Sequence, residues 1–191
     1  DRDDIEIVNI CTPPAAHLDQ IIAVLQAGKH AVCEKPLVGS LRDADAAADV
    51  EADASGRLMP IFQYRFGIGL QQVKALVDAG VAGPASTASV ELAWRRRPEY
   101  YAVPWRGRWD TELGGVLTSQ AIHLLDMLTY VSGPVANVFC RAVTRVNDIE
   151  VEDCVAASLR MADGSLATIT ATLGSPQEIS RHRFHFANLS A

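Results

Sequence analysis

Short apolar stretches alternate with helix-forming ones over the first 64 residues, at a spacing that leaves few folds open. Ile5 to Cys11 is rich in β-branched residues and almost wholly apolar from Ile7 on, the pattern of a strand buried on both faces. Thr12-Pro13-Pro14 stops it and predicts a helix start, with Thr as cap and Pro in the first turn. Leu18, Ile21, Ile22 and Leu25 follow at helical spacing, and Gly28 closes the helix. His30 to Cys33 reads as a second strand and leads into Glu34-Lys35-Pro36. Ser40-Leu41-Arg42-Asp43 resembles a capping box and opens an Ala/Asp-rich helix ending near Gly56; Leu58 to Tyr64 is a third strand. This order implies right-handed crossovers and a parallel sheet with helices on both faces. Ligands of such sheets bind beyond the carboxyl ends of the strands, which is where Thr12 and Glu34-Lys35 fall.

The pattern changes after Arg65. Leu70, Val73 and Val77 mark a helix closed by Gly80, and Val90, Leu92 and Trp94 alternate as on a half-buried strand. A loop runs from Arg95 to about Leu113, then one helix from about Leu117 to Val131. Strands are expected at about 135–145, 153–161, 166–173 and 183–189, with Asp163-Gly164 as a hairpin turn. The fold class is therefore α/β. Residues 1–65 form the second part of a Rossmann-type parallel sheet, and residues 66–191 an α+β domain with an open, mainly antiparallel sheet.

A chain of 191 residues with 49% hydrophobic and 21% charged residues has enough apolar surface to fold without disulfides. Its net charge of -6 argues against a nucleic-acid partner. The one basic cluster, Arg95-Arg96-Arg97 with Arg106 and Arg108 behind it, sits among Trp and Tyr. That setting suits a pocket for a polar ligand at least as well as a phosphate-backbone track. Cys11, Cys33, Cys140 and Cys154 form no C-x-x-C pair and stand near no His at ligand spacing, so reduced thiols and no metal are expected. No stretch has the apolar length of a membrane span, and a cytoplasmic protein is expected. The abrupt opening Asp1-Arg2-Asp3-Asp4 reads as the middle of a protein.

Three constellations bear on chemistry. In Glu34-Lys35-Pro36, proline biases Lys35 away from helical geometry and projects it from a strand end into the crevice. Desolvation there, with a cationic ring nearby, lowers a lysine's pKa and makes it usable as a base. On the helix from Leu117, one face carries Leu117, Ala121, Leu124, Leu125 and Leu128; the other carries Ser119, His123 and Asp126. His123 on that polar face could share a proton with Lys35. Gly67-Ile68-Gly69 looks like the start of a dinucleotide fingerprint, but Gln72 stands at the third glycine position and no acidic residue closes the next strand. It reads as a decoy, and the chain then contains no glycine-rich phosphate loop of its own.

Together these residues resemble the Gfo/Idh/MocA oxidoreductases, relatives of glucose-fructose oxidoreductase and inositol dehydrogenase. The resemblance is carried by Thr12-Pro13 with His17, Ala27-Gly28-Lys29-His30, Glu34-Lys35-Pro36-Leu37 and Tyr64-Arg65-Phe66. Trp105-Arg106-Gly107, Gly114-Gly115-Val116-Leu117 and His123-Leu124-Leu125-Asp126 complete it, so that it runs from about Ile7 to Gly164. It implies hydride transfer between NAD or NADP and a hydroxyl-bearing carbon of a sugar or cyclitol. By position, Thr12, Pro13, His17, Glu34 and Lys35 would contact the dinucleotide. Lys35 would be the acid/base group, with His123 as partner. Trp105, Arg106, Ser119, Gln120, Lys35 and His123 would meet the substrate. Many relatives carry Asp where this chain has Ser119. The family pattern also places a glycine-rich turn upstream of Ile5, so the resemblance implies a chain truncated at its N-terminus and, at its sheet, the C-terminus. It further implies a homodimer or homotetramer through the open sheet. A non-catalytic sugar-binding or dimerisation module of the same descent is the competing expectation.

Overall fold

The computed structural model describes residues 2–191. Strands β1 (Ile7–Ile10), β2 (His30–Cys33) and β3 (Leu58–Pro60) form a parallel sheet in that order. Helices α1 (His17–Gln26) and α2 (Leu41–Asp53) make the crossovers. Two crossovers of one hand that step the same way across a sheet put their helices on one face, and α1 packs on α2. The core there joins Ile10, Ala31 and Cys33 to Ile21, Leu25 and Ala47. The expectation of helices on both faces is therefore corrected. Among the described residues one face is covered, and Ile7 and Met59 are 57% and 53% exposed, so β1 is not buried on both sides either.

The helix starts differ from the sequence reading at one place. Ser40 caps α2, its Oγ accepting from the Asp43 amide at 3.1 Å. Thr12 caps nothing: a 3-10 turn over Pro14–Ala16 precedes α1, and the Thr12 hydroxyl donates to Gln20 Oε1 at 2.9 Å. The third strand stops at Pro60, and a 3-10 turn over Gln63–Phe66 replaces its expected end. Gly67-Ile68-Gly69 thus follows a turn rather than a strand, where no phosphate loop would be built.

Helix α3 (Ile68–Asp78) leads to the second sheet, whose strands are β4 (Ala85–Arg95), β5 (Val135–Val143), β6 (Cys154–Met161), β7 (Leu166–Thr172) and β8 (Gly174–Phe186). Their spatial order is β5-β6-β7-β4-β8. The β4–β7 pair is parallel and the other pairs are antiparallel. Alternate residues Val90, Leu92, Leu159, Ile169 and Phe184 face a core shared with Leu70, Leu124 and Leu128. The opposite face is left open by Ser158, Thr168 and Thr170. β8 begins nine residues before the expected 183, because it pairs with β4 along nearly its whole length despite Gly174 and Pro176.

Between β4 and β5 lie α4 (Pro98–Tyr101), α5 (Val116–Ser119) and α6 (Ile122–Ser132). The single helix expected from Leu117 to Val131 is in fact broken at Gln120-Ala121. The Ala121 amide reaches back to the Val116 carbonyl at 2.7 Å, a five-residue turn of the π type. The buried Glu152 fixes the start of α5, accepting from the Gly115 and Leu117 amides at 3.0 and 3.1 Å. A carboxylate at a helix N-terminus satisfies amides that have no partner within the helix. The expected polar face is not a solvated one: Ser119 and His123 are buried, and Asp126 takes a two-pronged pair from Arg65 at 2.7 and 2.5 Å.

Candidate active site

Both strand ends of the parallel sheet open on one small cavity of about 210 Å³. Thr12 and Pro14 come from the turn after β1, Glu34 and Lys35 from the turn after β2. Trp105, Arg106, Glu112 and Ser119 close it from the segment between β4 and α6. The two halves are tied across it: the Ala15 amide donates to the Thr111 carbonyl at 3.2 Å, and Lys35 Nζ donates to the Ser119 carbonyl at 2.5 Å.

Burial and the positive charges of Arg106 and Arg96 push the Lys35 amine below the ordinary lysine range. Burial is the largest cause, and Glu34 and Glu112 oppose it. A neutral lysine has one lone pair and two N–H groups. With one N–H on the Ser119 carbonyl, the lone pair remains for a substrate proton.

His17 holds the two turns together from within. It is fully buried, with Nδ1 2.9 Å from the Pro36 carbonyl and Nε2 2.9 Å from the Thr12 carbonyl. It presents no surface to the cavity, and Pro13 stands beside the cavity without lining it. Gln120 and His123 also lie outside the lining. Gln120 Nε2 donates to the Tyr100 hydroxyl at 2.9 Å, and His123 stacks on Tyr64 with ring centroids 4.6 Å apart. Gln120 Oε1 and His123 Nδ1 are buried with no partner. Burial, and then the charge of Lys35, hold His123 below the usual imidazole range, so it is neutral at neutral pH.

Several contributors were not singled out from the sequence. The chief one is Glu112, which is 3% exposed. Its Oε1 accepts from the Ser119 hydroxyl at 2.8 Å, its Oε2 from the Gly107 amide at 2.6 Å, and Arg106 stands 3.6 Å away. A carboxylate thus stands beside Ser119, brought from seven residues upstream. Tyr100 is the second: the Arg106 guanidinium lies 3.9 Å from its ring centroid and 4.2 Å from that of Trp105. Arg65 and Tyr64 were read only as an exit from the first sheet, yet they anchor α6 and its histidine. An acidic residue next to the Leu113-Gly114-Gly115 turn was the one signal for Glu112.

The family model described as an oxidoreductase family with an NAD-binding Rossmann fold matches residues 1–62, and the model of the GFO/IDH/MocA C-terminal domain matches residues 70–187. The chain belongs to the Gfo/Idh/MocA oxidoreductases. Among its relatives, inositol 2-dehydrogenase of Rhizobium meliloti is 31% identical over 94% of this chain and 55% of its own length. The WlbA dehydrogenase of Bordetella pertussis, solved with NADH and UDP-GlcNAcA, is 32% identical with a TM-score of 0.93, covering 97% of this chain and 54% of that one. Levoglucosan dehydrogenase, solved with NADH and levoglucosan, is 26% identical with a TM-score of 0.90, covering 100% of this chain and 54% of that one. The chain thus spans about half the length of the relatives it matches. Among the described residues no helix is long and apolar enough to cross a membrane.

Proposed function

We propose that these residues form the proton-transfer half of an NAD- or NADP-dependent dehydrogenase or reductase. Its substrate is a sugar, cyclitol or related polyol. The observation that carries this reading is Lys35: a desolvated amine at a parallel strand's carboxyl end, held by the Ser119 carbonyl in a cavity closed by the second domain. We take the division between the two domains at 65/66.

A nicotinamide fits the donor set at the strand ends, where Thr12, Pro13 and Glu34 would hold the dinucleotide and His17 would set the spacing of their turns. The partnerless Gln120 Oε1 and His123 Nδ1 are consistent with a polar ligand at this junction. When bound, the cofactor supplies or accepts the hydride. In the oxidative direction the neutral Lys35 amine takes the proton of the reacting hydroxyl; in the reductive direction the ammonium returns it. His123, stacked on Tyr64 outside the lining, acts as the electrostatic partner of Lys35. Arg106, clamped between Trp105 and Tyr100, donates to further oxygens of the substrate. Trp105 gives its ring to a sugar face, and Ser119 and Gln120 shape the remainder.

Replacing Lys35 with Met, in the protein with a complete dinucleotide site, removes the acid/base group. Turnover should fall about 10²–10⁴-fold with the fold intact. An unchanged kcat would refute the role. Two wider features go with this function. Every residue of β5 is exposed, including Val138 and Phe139 at 64% and 65%, and the sheet beside it is open. An edge of that kind favours association with a second copy, as dimer or tetramer. Four unpaired cysteines suit a reducing cytoplasm.

A further inference from the structure

The run Arg95-Arg96-Arg97 at the end of β4 takes no part in the chemistry at Lys35. It borders a separate cavity of about 650 Å³, whose polar lining is Arg95, Arg96, Arg97, Tyr101, Asn147 and Asp148. Three arginines line it against one acidic residue. A further carboxylate, Glu178, reaches Arg96 at 3.7 Å, but it is 66% exposed and so holds it weakly. Arg96 is kept in place by its faces rather than by its donors. Its guanidinium lies 4.8 Å from the Trp94 ring centroid and 5.1 Å from that of Tyr100, and one Nη donates to the Arg95 carbonyl at 3.2 Å. Arg96 Nε and the Tyr101 hydroxyl are buried without a partner. A rigid, aromatic-clamped guanidinium with unused donors, beside a free phenol, is suited to a planar or tetrahedral oxyanion.

This cavity and the one at Lys35 have no lining residue in common, but one ring connects an arginine of each. The Tyr100 ring meets Arg96 on the one hand and Arg106 at 3.9 Å on the other, and Arg106 lines the Lys35 cavity. The charge of Arg96 is felt at Lys35, where it adds a small push toward a lower pKa.

We propose that the Arg95–Arg97 cavity is an anion subsite, which takes a phosphate or carboxylate group borne by the same sugar or cyclitol whose hydroxyl reacts at Lys35. The substrate is then an acidic one, a sugar phosphate, nucleotide-linked sugar or sugar acid, rather than a neutral polyol. The identity of the reacting hydroxyl rests on the dehydrogenase reading; the anion site itself does not.

Binding can be measured on this chain without cofactor, through the fluorescence of its three tryptophans, Trp94, Trp105 and Trp109. The probes are inorganic phosphate, glucose 6-phosphate, glucuronate and glucose. Saturable binding of the anions, weakened by salt and absent for glucose, is expected. The better of glucose 6-phosphate and glucuronate tells phosphate from carboxylate. Arg96→Gln should weaken anion binding about tenfold or more, the worth of one charge-assisted hydrogen bond. Tyr101→Phe, which removes only the hydroxyl, should weaken it less and guards against a folding defect in the first variant. Equal binding of glucose and glucose 6-phosphate would overturn the proposal, as would wild-type phosphate affinity in a folded Arg96→Gln protein. Lys35→Met should keep its anion binding. If that variant also kept turnover, the dehydrogenase reading would fail while the anion site stood.

Discussion

The turn after β2 and the segment between β4 and α6 meet at one amine, but they reach it by different means. The turn is a product of regular structure. A parallel strand ends, proline follows, and whatever stands between them is delivered to the crevice. The facing segment is irregular, and its shape comes from buried polar groups: Glu112 on Ser119 and Gly107, Glu152 on the start of α5, Arg106 between two rings. It even holds Leu113 at a positive φ of 66°, a conformation that costs about 1–3 kcal/mol outside glycine. The first region presents the lysine with Glu34 beside it, and the second adds Arg106, Glu112 and the carbonyl the amine touches.

Two glycine substitutions separate these roles most strongly. A Cβ on Gly56 would sit 2.0 Å from the Lys29 carbonyl oxygen, and one on Gly115 only 1.8 Å from that of Glu152. Alanine at either place should destabilise the protein by about 1–3 kcal/mol or more, since main chain must move. Thermal melts should show similar losses. Only Gly115→Ala should also raise the accessibility of Lys35 to an amine-modifying reagent, because α5 carries the carbonyl that holds it. If both variants, or neither, changed Lys35, the division of labour would be wrong.

The same contrast explains what the sequence could disclose. The parallel strands, their crossovers and the position of Lys35 were legible because apolar periodicity and proline act locally. The broken helix at Gln120-Ala121 was not, since it arises from Glu152, 35 residues downstream of Leu117, and from Lys35, 84 residues upstream of Ser119. Glu112 was missed because its one local signal, a neighbouring glycine turn, does not distinguish a buried acid from a solvated one. His17 was placed at the cofactor by the resemblance alone. The fold turns it inward, where it joins two carbonyls of the strand-end turns. Asp126 was placed on the polar face of that helix with no partner named, and its partner Arg65 lies on another element.

Smaller effects test the facing segment itself. Glu112→Ala leaves the Ser119 hydroxyl and the Gly107 amide unpaired in a buried place. A loss of about 1–3 kcal/mol in denaturant unfolding is expected. Ser119→Ala removes one hydrogen bond and should cost about 1 kcal/mol. It should leave Lys35 undisturbed, because Lys35 binds the main-chain oxygen. A large change in Lys35 reactivity on removing the Ser119 hydroxyl would contradict that arrangement.

The central claim is that the second domain sets the proton affinity of an amine presented by the first. It is tested most directly by titrating Lys35 itself, through the NMR signal of its labelled side chain, in the wild type, Glu112→Gln and Arg106→Gln. Burial and nearby arginines hold the amine below the ordinary lysine range, so it loses its proton at lower pH than an exposed lysine does. Glu112 opposes that shift, and its neutralisation should lower the titration point further; Arg106 favours it, and its loss should raise the point. The base-dependent limb of the oxidation rate should move in the same directions. A Lys35 that titrates like an exposed lysine, or two variants that move it the same way, would contradict the account.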